Sequence, residues 1–213
     1  MAPKFLISIR VLILLVLLQF VFSCTEEHIT PKPDDIAKIL QKAKEGDSSA
    51  QCQAATIYNE GKGTAINQEN ASYWYLMAAR QDVTMAQTRI GVRLVKGLGI
   101  KKDVEEGLHW LEKAANKNDS LAQMALSGIY LGELNSGLNN FGKAFYWMLN
   151  AAKSGVAPAQ FEVYRMYRYG IGTETNLTQG DYWLRKAAEA GYPSAIKVLR
   201  EVSELQEDLK KTE

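Results

Sequence analysis

Small and hydrophobic positions recur along this chain with a nearly constant step. Alanines that we use as repeat anchors are separated by 36, 36, 37 and 36 residues, at Ala50, Ala86, Ala122, Ala159 and Ala195. All four tryptophans follow the same step, at Trp74, Trp110, Trp147 and Trp183. A fixed period of this length indicates an array of stacked structural repeats.

Each repeat contains two segments with helical periodicity. In the first segment, apolar or small residues lie zero, four and eight positions after the anchor, as at Ala122, Leu126 and Tyr130. The second segment has small or apolar residues around the tryptophan at helical spacing. Glycine pairs such as Gly97 and Gly99 separate the two segments. We therefore predict helix-turn-helix hairpins that stack into an all-α solenoid, with the core formed between repeats.

The repeat motif resembles a known family. Ala-Gln, a tyrosine, Gly-x-Gly, Trp and Ala-Ala in this order resemble Sel-one-like repeats, which are related to tetratricopeptide repeats. The resemblance covers residues 47–198 and implies an α/α solenoid that binds a protein partner on its concave face. We assign four repeats to residues 47–191 and an N-terminal capping helix to residues 34–46. Because repeat three lacks the glycine pair, its loop over residues 132–140 is predicted to differ from the others.

Residues 192–213 are predicted to form a C-terminal capping helix. Its apolar positions are spaced by three and four residues and its other face is charged, as a terminal cap requires. The apolar positions are Ala195, Val198, Val202, Leu205 and Leu209. The alternative is a short coiled-coil helix that forms a dimer. We expect a monomer, with a dimer through this helix as the alternative.

The first 23 residues have the pattern of a signal peptide. Lys4 and Arg10 precede an apolar run from Val11 to Phe22. A run of about 12 residues spans about 18 Å as a helix, which is too short for a membrane core of about 30 Å. Residues 1–23 are therefore predicted to direct export.

The end of this segment resembles the lipobox of bacterial lipoproteins, with an aliphatic Val21, a small Ser23 and then Cys24. The resemblance implies cleavage before Cys24, lipidation of that cysteine, and a membrane anchor with residues 24–33 as a tether. By the same resemblance, Thr25 in place of the Asp that inner-membrane lipoproteins often carry implies the outer membrane, with the protein facing the periplasm. The alternative is ordinary secretory cleavage, which would leave a soluble periplasmic or secreted protein in which Cys24 can pair with Cys52.

Composition narrows the possible functions. The 213 residues include 25 Lys and Arg against 24 Asp and Glu, a near balance that argues against a general nucleic-acid binder. A hydrophobic fraction of 46% is enough for a sizeable core. His28 and His109 are the only imidazoles, and no zinc, metalloprotease or serine-hydrolase motif occurs. We therefore expect no catalytic residues, no metal and no cofactor.

Charged residues on the first helices are the candidate binding residues. Arg89, Arg93 and Lys96 lie at i, i+4 and i+7 in repeat two, and Arg93 occupies a slot that is apolar in the other repeats. Repeat four contributes Glu162, Arg165, Arg168 and Tyr169. We predict a basic and aromatic groove that binds an acidic or extended protein segment. The alternative is a solvated helix face.

These predictions favour a non-catalytic scaffold, anchored by lipid in the bacterial envelope, that positions a periplasmic protein or assembly. The first alternative is an immunity lipoprotein that inhibits a secreted effector acting in the periplasm, such as a phospholipase. A cell-wall or β-lactam hydrolase is a remote alternative, because no pair of nucleophile and base is visible. Scaffold and inhibitor need the same curved surface and differ in what fills it.

Overall fold

The chain folds as a row of paired helices. The computed structural model describes residues 32–132 and 137–212, with side chains as far as Glu204. Within these residues every regular element is an α-helix, which confirms the predicted all-α fold. The predicted signal peptide at residues 1–23, the predicted lipidation site Cys24 and the tether up to residue 31 lie outside the described residues.

The helices follow the order expected for stacked hairpins. Helix α1, Pro33–Lys44, precedes the repeats, and α10, Pro193–Thr212, follows them. Each repeat has a first and a second helix: α2 Ser48–Glu60 and α3 Gln68–Arg80, α4 Thr84–Lys96 and α5 Val104–Ala115, α6 Ser120–Tyr130 and α7 Phe141–Lys153, α8 Ala157–Tyr169 and α9 Leu177–Glu189. Each helix packs mainly on the helices before and after it. This nearest-neighbour packing is the arrangement of a solenoid.

One polar residue closes each hairpin. The N-cap side chains of α3, α5, α7 and α9 accept a hydrogen bond from the backbone N–H three residues later, at Asn67, Asp103, Asn140 and Asn176. The backbone N–H of the same residue donates to the end of the first helix, as Asn176 does to the Tyr167 carbonyl at 3.0 Å. The cap therefore starts the second helix and also fixes it against the first.

The second glycine of the loop is required by a close backbone contact. Gly99 and Gly172 have φ angles of 62° and 71°. A Cβ atom at these positions would overlap the carbonyl of Gln68 or of Phe141, which begin α3 and α7. The loops of repeats two and four thus pack against the preceding hairpin, where a larger residue has no space. Of the loop predicted to differ in repeat three, the structure describes residues 132 and 137–140.

A buried glutamine joins each repeat to the helix before it. The Nε2 atoms of Gln51, Gln87, Gln123 and Gln160 donate to backbone carbonyls at 3.1 to 3.4 Å. The acceptors are the carbonyls of Ala43, Ala79, Ala115 and Ala152, in the last turn of the preceding helix. Each of these carbonyls also accepts from the backbone N–H of the turn residue three positions later. The glutamine of the Ala-Gln motif is therefore a second donor, which ties the new repeat to the end of the preceding helix.

An ionic cluster strengthens the junction between repeats one and two. The Asp82 carboxylate accepts from Nζ of Lys117 at 2.7 Å, from Nζ of Lys113 at 3.1 Å and from Nε2 of Gln87 at 2.9 Å. These donors hold the pKa of Asp82 well below its ordinary value. Asp82 also has a φ of 68° at the turn, where three other junctions have glycine.

The hydrophobic core runs along the row and lies between repeats, as predicted. Trp74, Trp147 and Trp183 are buried on the second helices, and Trp110 is half-buried at the equivalent position. Cys52 is buried in α2, and its predicted alternative partner Cys24 lies outside the described residues. One hydrophobic cluster extends from α1 into α4 and the next from α4 to α10, so α4 belongs to both.

Helix α10 covers the end of the core. Ala195 is buried, and Val198 and Leu199 pack against the second cluster. Val202 is 42% exposed, and the side chains of Leu205 and Leu209 lie outside the described residues. In the part of the chain that the structure describes, no helix combines the length and the hydropathy that a membrane span needs.

Candidate partner-binding surface

First helices line the inner face in solenoids of this kind, and that face usually receives partners. Positions three, six and ten after each anchor point in nearly the same direction from a helix, because they follow its 3.6-residue period. In repeats two and four these positions hold five of the seven predicted binding residues: Arg89, Lys96, Glu162, Arg165 and Tyr169. Arg93 and Arg168 lie outside this row.

In repeat two, two positively charged side chains of this row are accessible to a partner. Arg89 is half-buried and Lys96 is exposed. Neither side chain has an ion-pair partner within the described residues. Val92 lies between them and packs against the core. Repeat two therefore carries two positively charged side chains on this row whose charge is not used in an ion pair within the described residues.

The prediction that Arg93 contributes to this open surface is wrong. Its side chain is 6% exposed. Nε donates to Ser72 Oγ at 2.7 Å, and Nη1 donates to Asn59 Oδ1 at 2.9 Å. Nη2 donates to the carbonyl and to Oε1 of Gln68, at 2.9 and 2.6 Å. Arg93 therefore joins repeat two to repeat one and has little capacity for an external partner.

A signal for this role exists in the sequence but requires the repeats to be aligned. Gln68, Ser72 and Asn59 are polar, whereas the same positions in repeat two hold Val104, Leu108 and Val95. Arg93 is polar where other repeats have Ile57, Ile129 and Met166. Polar residues that replace apolar ones in two adjacent repeats indicate a buried hydrogen-bonded group. Burial lowers the pKa of Arg93, although a guanidinium remains protonated.

The inner face is closed at repeat three. Every residue from Ala122 to Tyr130 is buried. The row positions there are Ala125 and Gly128, which are too small to project beyond their neighbours. Side chains from the adjacent repeats must therefore cover α6. As a result, the open cations of repeat two and the charged residues of repeat four lie on either side of a closed segment.

Repeat four contains a buried ion pair. Glu162 is 8% exposed, and Nη1 of Arg165 lies 3.3 and 3.4 Å from its two carboxylate oxygens. Burial raises the pKa of Glu162, and the positive charge of Arg165 partly opposes this rise. Burial, and then the negative charge of Glu162, raise the pKa of the nearby Tyr192. Sequence reasoning did not identify Tyr192, because it lies in the turn after α9, outside the first helices on which charged residues were sought.

Glu162 holds the Arg165 guanidinium in place but uses only part of its N–H donors. Its side chain is 15% exposed, and its hydrogen bonds within the described residues come from Nη1 alone. Nε and Nη2 remain as donors. A guanidinium has five N–H donors in a planar fork that fits a carboxylate. The Glu162 contact therefore fixes the orientation of a group that can still bind an anion.

The end of α8 adds exposed side chains. Tyr169 is 58% exposed. Arg168 is exposed, and its guanidinium carbon lies 6.0 Å from the centre of the Tyr164 ring. Among residues 32–132 and 137–212, no group of three or more His, Cys, Asp or Glu side chains is placed to hold a metal ion. The geometry thus offers charged and aromatic contacts for a partner.

The pattern of helices and junctions has a counterpart in known proteins. The model of the Sel1 repeat matches residues 48–83, 84–119, 120–156 and 157–192. The chain belongs to the Sel1 repeat family. Proteins of this family are typically scaffolds for protein interaction, in agreement with the expected class of function.

Individual relatives support the same fold. The chain is 28% identical over 169 residues to the chitin synthase regulator SKT5 of Saccharomyces cerevisiae, covering 78% of this chain and 24% of that protein. The protective antigen c5321 of uropathogenic Escherichia coli, which has an SLR fold, matches with a TM-score of 0.70 and 26% identity, over 76% of this chain and 34% of the antigen. The chain thus spans about a third or less of the length of these two relatives.

A third similarity concerns the fold alone. The immunity protein Pa5087 of Pseudomonas aeruginosa matches with a TM-score of 0.50 and 19% identity, over 86% of this chain and 67% of that protein. At this identity the match supports a shared solenoid architecture. The immunity function of Pa5087 is therefore not transferred to this Sel1 repeat protein.

Proposed function

We propose that this Sel1 repeat protein is a non-catalytic scaffold that binds an acidic, extended segment of a protein partner on its inner face. The observation that carries the proposal is Arg165, a mostly buried guanidinium that Glu162 orients while Nε and Nη2 remain free to donate. Charge-assisted hydrogen bonds to a carboxylate are strong when the donor is already held in position.

The remaining contacts follow from the row of inner-face residues. Tyr169 and Arg168 extend the site at the end of α8, and an extended segment that crosses the closed repeat three reaches Arg89 and Lys96. Arg93 takes no part, because its donors are used within the chain. The partner segment therefore needs at least two acidic groups, one for each charged end of the face.

We also propose that the scaffold is attached to a bacterial membrane through lipid on Cys24, on the periplasmic side of the outer membrane. The support is the sequence pattern of residues 1–24. Replacing Cys24 with Ala is expected to move the protein from the membrane fraction to the soluble fraction and to abolish incorporation of labelled fatty acid. If Cys24→Ala still incorporates label, the anchor lies elsewhere.

The binding proposal is tested by capture from envelope extracts with the full-length protein. Wild type and Arg165→Glu are used as bait, and captured proteins are quantified by mass spectrometry. Arg200→Glu is the matched control, because it reverses an exposed charge on α10 and leaves the inner face unchanged. We expect Arg165→Glu to lose proteins that wild type and the control retain. Equal capture by all three baits would refute the inner-face site.

A further inference from the structure

The outer face carries a regular row of exposed rings that the proposed binding site does not use. Tyr73, Tyr146 and Tyr182 are 52%, 56% and 50% exposed, and His109 is exposed at the equivalent position of repeat two. Each ring meets the following tryptophan edge-on, with centroids 4.9 to 5.7 Å apart. We call these four residues the outer row. Exposed tyrosines held against a second ring are typical of protein interfaces.

The charges beside the outer row differ sharply between the two middle repeats. Helix α5 carries Glu105, Glu106 and Glu112 with a single basic residue, Lys113. Helix α7 carries Lys143 and no acidic residue, and ends at Lys153. All of these charged side chains except the half-buried Glu112 are exposed, namely Glu105, Glu106, Lys113, Lys143 and Lys153. An acidic surface therefore lies next to a basic surface on one side of the molecule.

We propose that the outer row is the interface of a symmetric dimer formed with a second copy of this chain. Four equally spaced positions map onto themselves under a two-fold rotation, which pairs repeat one with repeat four and repeat two with repeat three. The acidic α5 of each copy then faces the basic α7 of the other. Convex faces touch mainly at their middle, where this charge complementarity lies.

The same rotation sets which charges meet. The axis of a face-to-face dimer lies in the interface, and the axis that pairs repeat two with repeat three runs parallel to the helices. Helix direction is therefore kept, and the first turn of α5 faces the first turn of α7 in the second copy. Glu105 thus approaches Lys143 of the second copy, and Glu112 approaches Lys153 of the second copy. Within one chain, Glu112 and Lys143 lie on the two sides of Tyr130, at 3.5 Å from its hydroxyl and 5.1 Å from its ring centre. Tyr130 therefore lies on the line between α5 and α7 along which the axis runs.

The outer repeats and the remaining charges fit this pairing. Glu69 on α3 faces the uncharged first turn of α9. Arg80 faces the last turn of α9, where Lys186 and Glu189 pair with each other at 3.3 Å. Lys113 is paired with Asp82 at 3.1 Å within its own chain, so its charge is partly neutralised and repels the lysines of the second copy only weakly. The dimer leaves both inner faces open. It is thus independent of the proposed function, and Arg165→Glu is expected to leave it intact.

The test is sedimentation equilibrium of the full-length chain in a density-matched non-ionic detergent. One variant carries Glu105→Lys and Glu112→Lys, and the other carries Lys143→Glu and Lys153→Glu. Each variant alone has like charges across the axis, so its dimer dissociation constant is expected to rise at least about tenfold. An equimolar mixture of the two variants restores opposite charges and is expected to form the heterodimer with nearly the wild-type constant.

Other results overturn the proposal. The proposal is wrong if the wild-type chain is monomeric at all concentrations. It is also wrong if the mixture of the two variants associates no better than either variant alone. Tyr146→Ala is expected to weaken the dimer, since it removes a ring next to the axis. Lys197→Glu with Arg200→Glu changes α10 and is expected to have no effect. If it dissociates the dimer while the α5 and α7 variants do not, the interface is the C-terminal helix instead.

Discussion

Two arginines on first helices, Arg93 in repeat two and Arg165 in repeat four, have different relations to their surroundings. Arg93 donates four hydrogen bonds to Ser72, Asn59 and Gln68 and is 6% exposed. Arg165 contacts Glu162 through Nη1 only, and its side chain is 15% exposed. The two guanidinium groups are therefore buried to a similar degree, but Arg93 uses its donors within the chain and Arg165 keeps donors at Nε and Nη2 unused.

The difference shows that burial alone does not separate structural from binding residues in a solenoid. The number of N–H donors that are hydrogen-bonded inside the chain separates the two kinds of residue. A buried donor without a partner has a desolvation cost, which a bound ligand can remove. Arg93 acts as a cross-link between hairpins. Arg165 has the properties of a preorganised anion site.

The largest expected effect is the loss of stability on removing Arg93. Arg93→Ala leaves Ser72, Asn59 and Gln68 without their buried donor, so the free energy of unfolding is expected to fall by about 3 kcal/mol. Urea unfolding followed by circular dichroism measures it. Arg89→Ala, on the open row one turn earlier, is expected to change it by no more than about 0.5 kcal/mol. Equal losses for the two variants would show that Arg93 is not a cross-link.

Substitution of the second loop glycine should cost a similar amount of stability in repeats two and four, because both glycines lie against a backbone carbonyl. Gly99→Ala and Gly172→Ala place a Cβ against a backbone carbonyl in a left-handed turn, and each is expected to cost at least about 2 kcal/mol. Gly155 is the matched control, because it has a φ of 87° and no atom within 4 Å of its ideal Cβ. Gly155→Ala is expected to cost about 1 kcal/mol by thermal unfolding. A loss as large at Gly155 would mean that the carbonyl contacts contribute nothing.

Arg165 is expected to affect binding more than folding. Arg165→Ala leaves Glu162 buried without its cation, but that carboxyl can take up a proton, so the loss of stability is about 1 to 2 kcal/mol. Partner capture should fall at least about tenfold, or about 1.4 kcal/mol. Arg165→Lys keeps the charge without the fork and should restore capture in part. Full capture by Arg165→Ala at native-like stability would contradict the anion site.

The smallest expected effect is on pH dependence. Burial raises the native pKa of Glu162 above its ordinary 4.5, so the native state binds this proton more tightly and stability falls as pH rises through that range. Glu162→Gln removes this contribution. The pKa of Asp82 is lowered, so its contribution is lost as pH falls, and Asp82→Asn should change the slope in the opposite sense. Urea unfolding from pH 2 to pH 7 measures both slopes, because the Asp82 contribution falls below its ordinary pKa of 3.8 and the Glu162 contribution above its ordinary pKa of 4.5. Identical slopes for the two variants would contradict these assignments.

The fold could be predicted because its signals are periodic. One alanine or tryptophan position repeats four or five times, so each copy supports the assignment of the others. The glutamine after the anchor donates to the last turn of the preceding helix in repeats two and four, and the second loop glycine packs against a carbonyl of the preceding hairpin. Such contacts lie within one period along the chain.

The candidate site was predicted only in part because it depends on exceptions to the repeat. Arg89, Arg93 and Lys96 share helical spacing, and spacing does not reveal that Arg93 turns toward α3. Its acceptors lie 21 to 34 residues earlier, in the previous repeat. Glu162 likewise gives no sequence signal of its burial, which depends on packing beside Arg165 and near Tyr192.

The most direct test compares capture of the same envelope partner by two full-length variants at equal folded concentration. Arg93→Ile places in repeat two the residue found at this slot in repeats one and three, and Arg165→Ala opens repeat four. If Arg93 is structural and Arg165 binds, Arg93→Ile retains wild-type capture and Arg165→Ala loses at least about nine-tenths of it. Loss of capture with Arg93→Ile and retention with Arg165→Ala would contradict the division of roles between the two arginines.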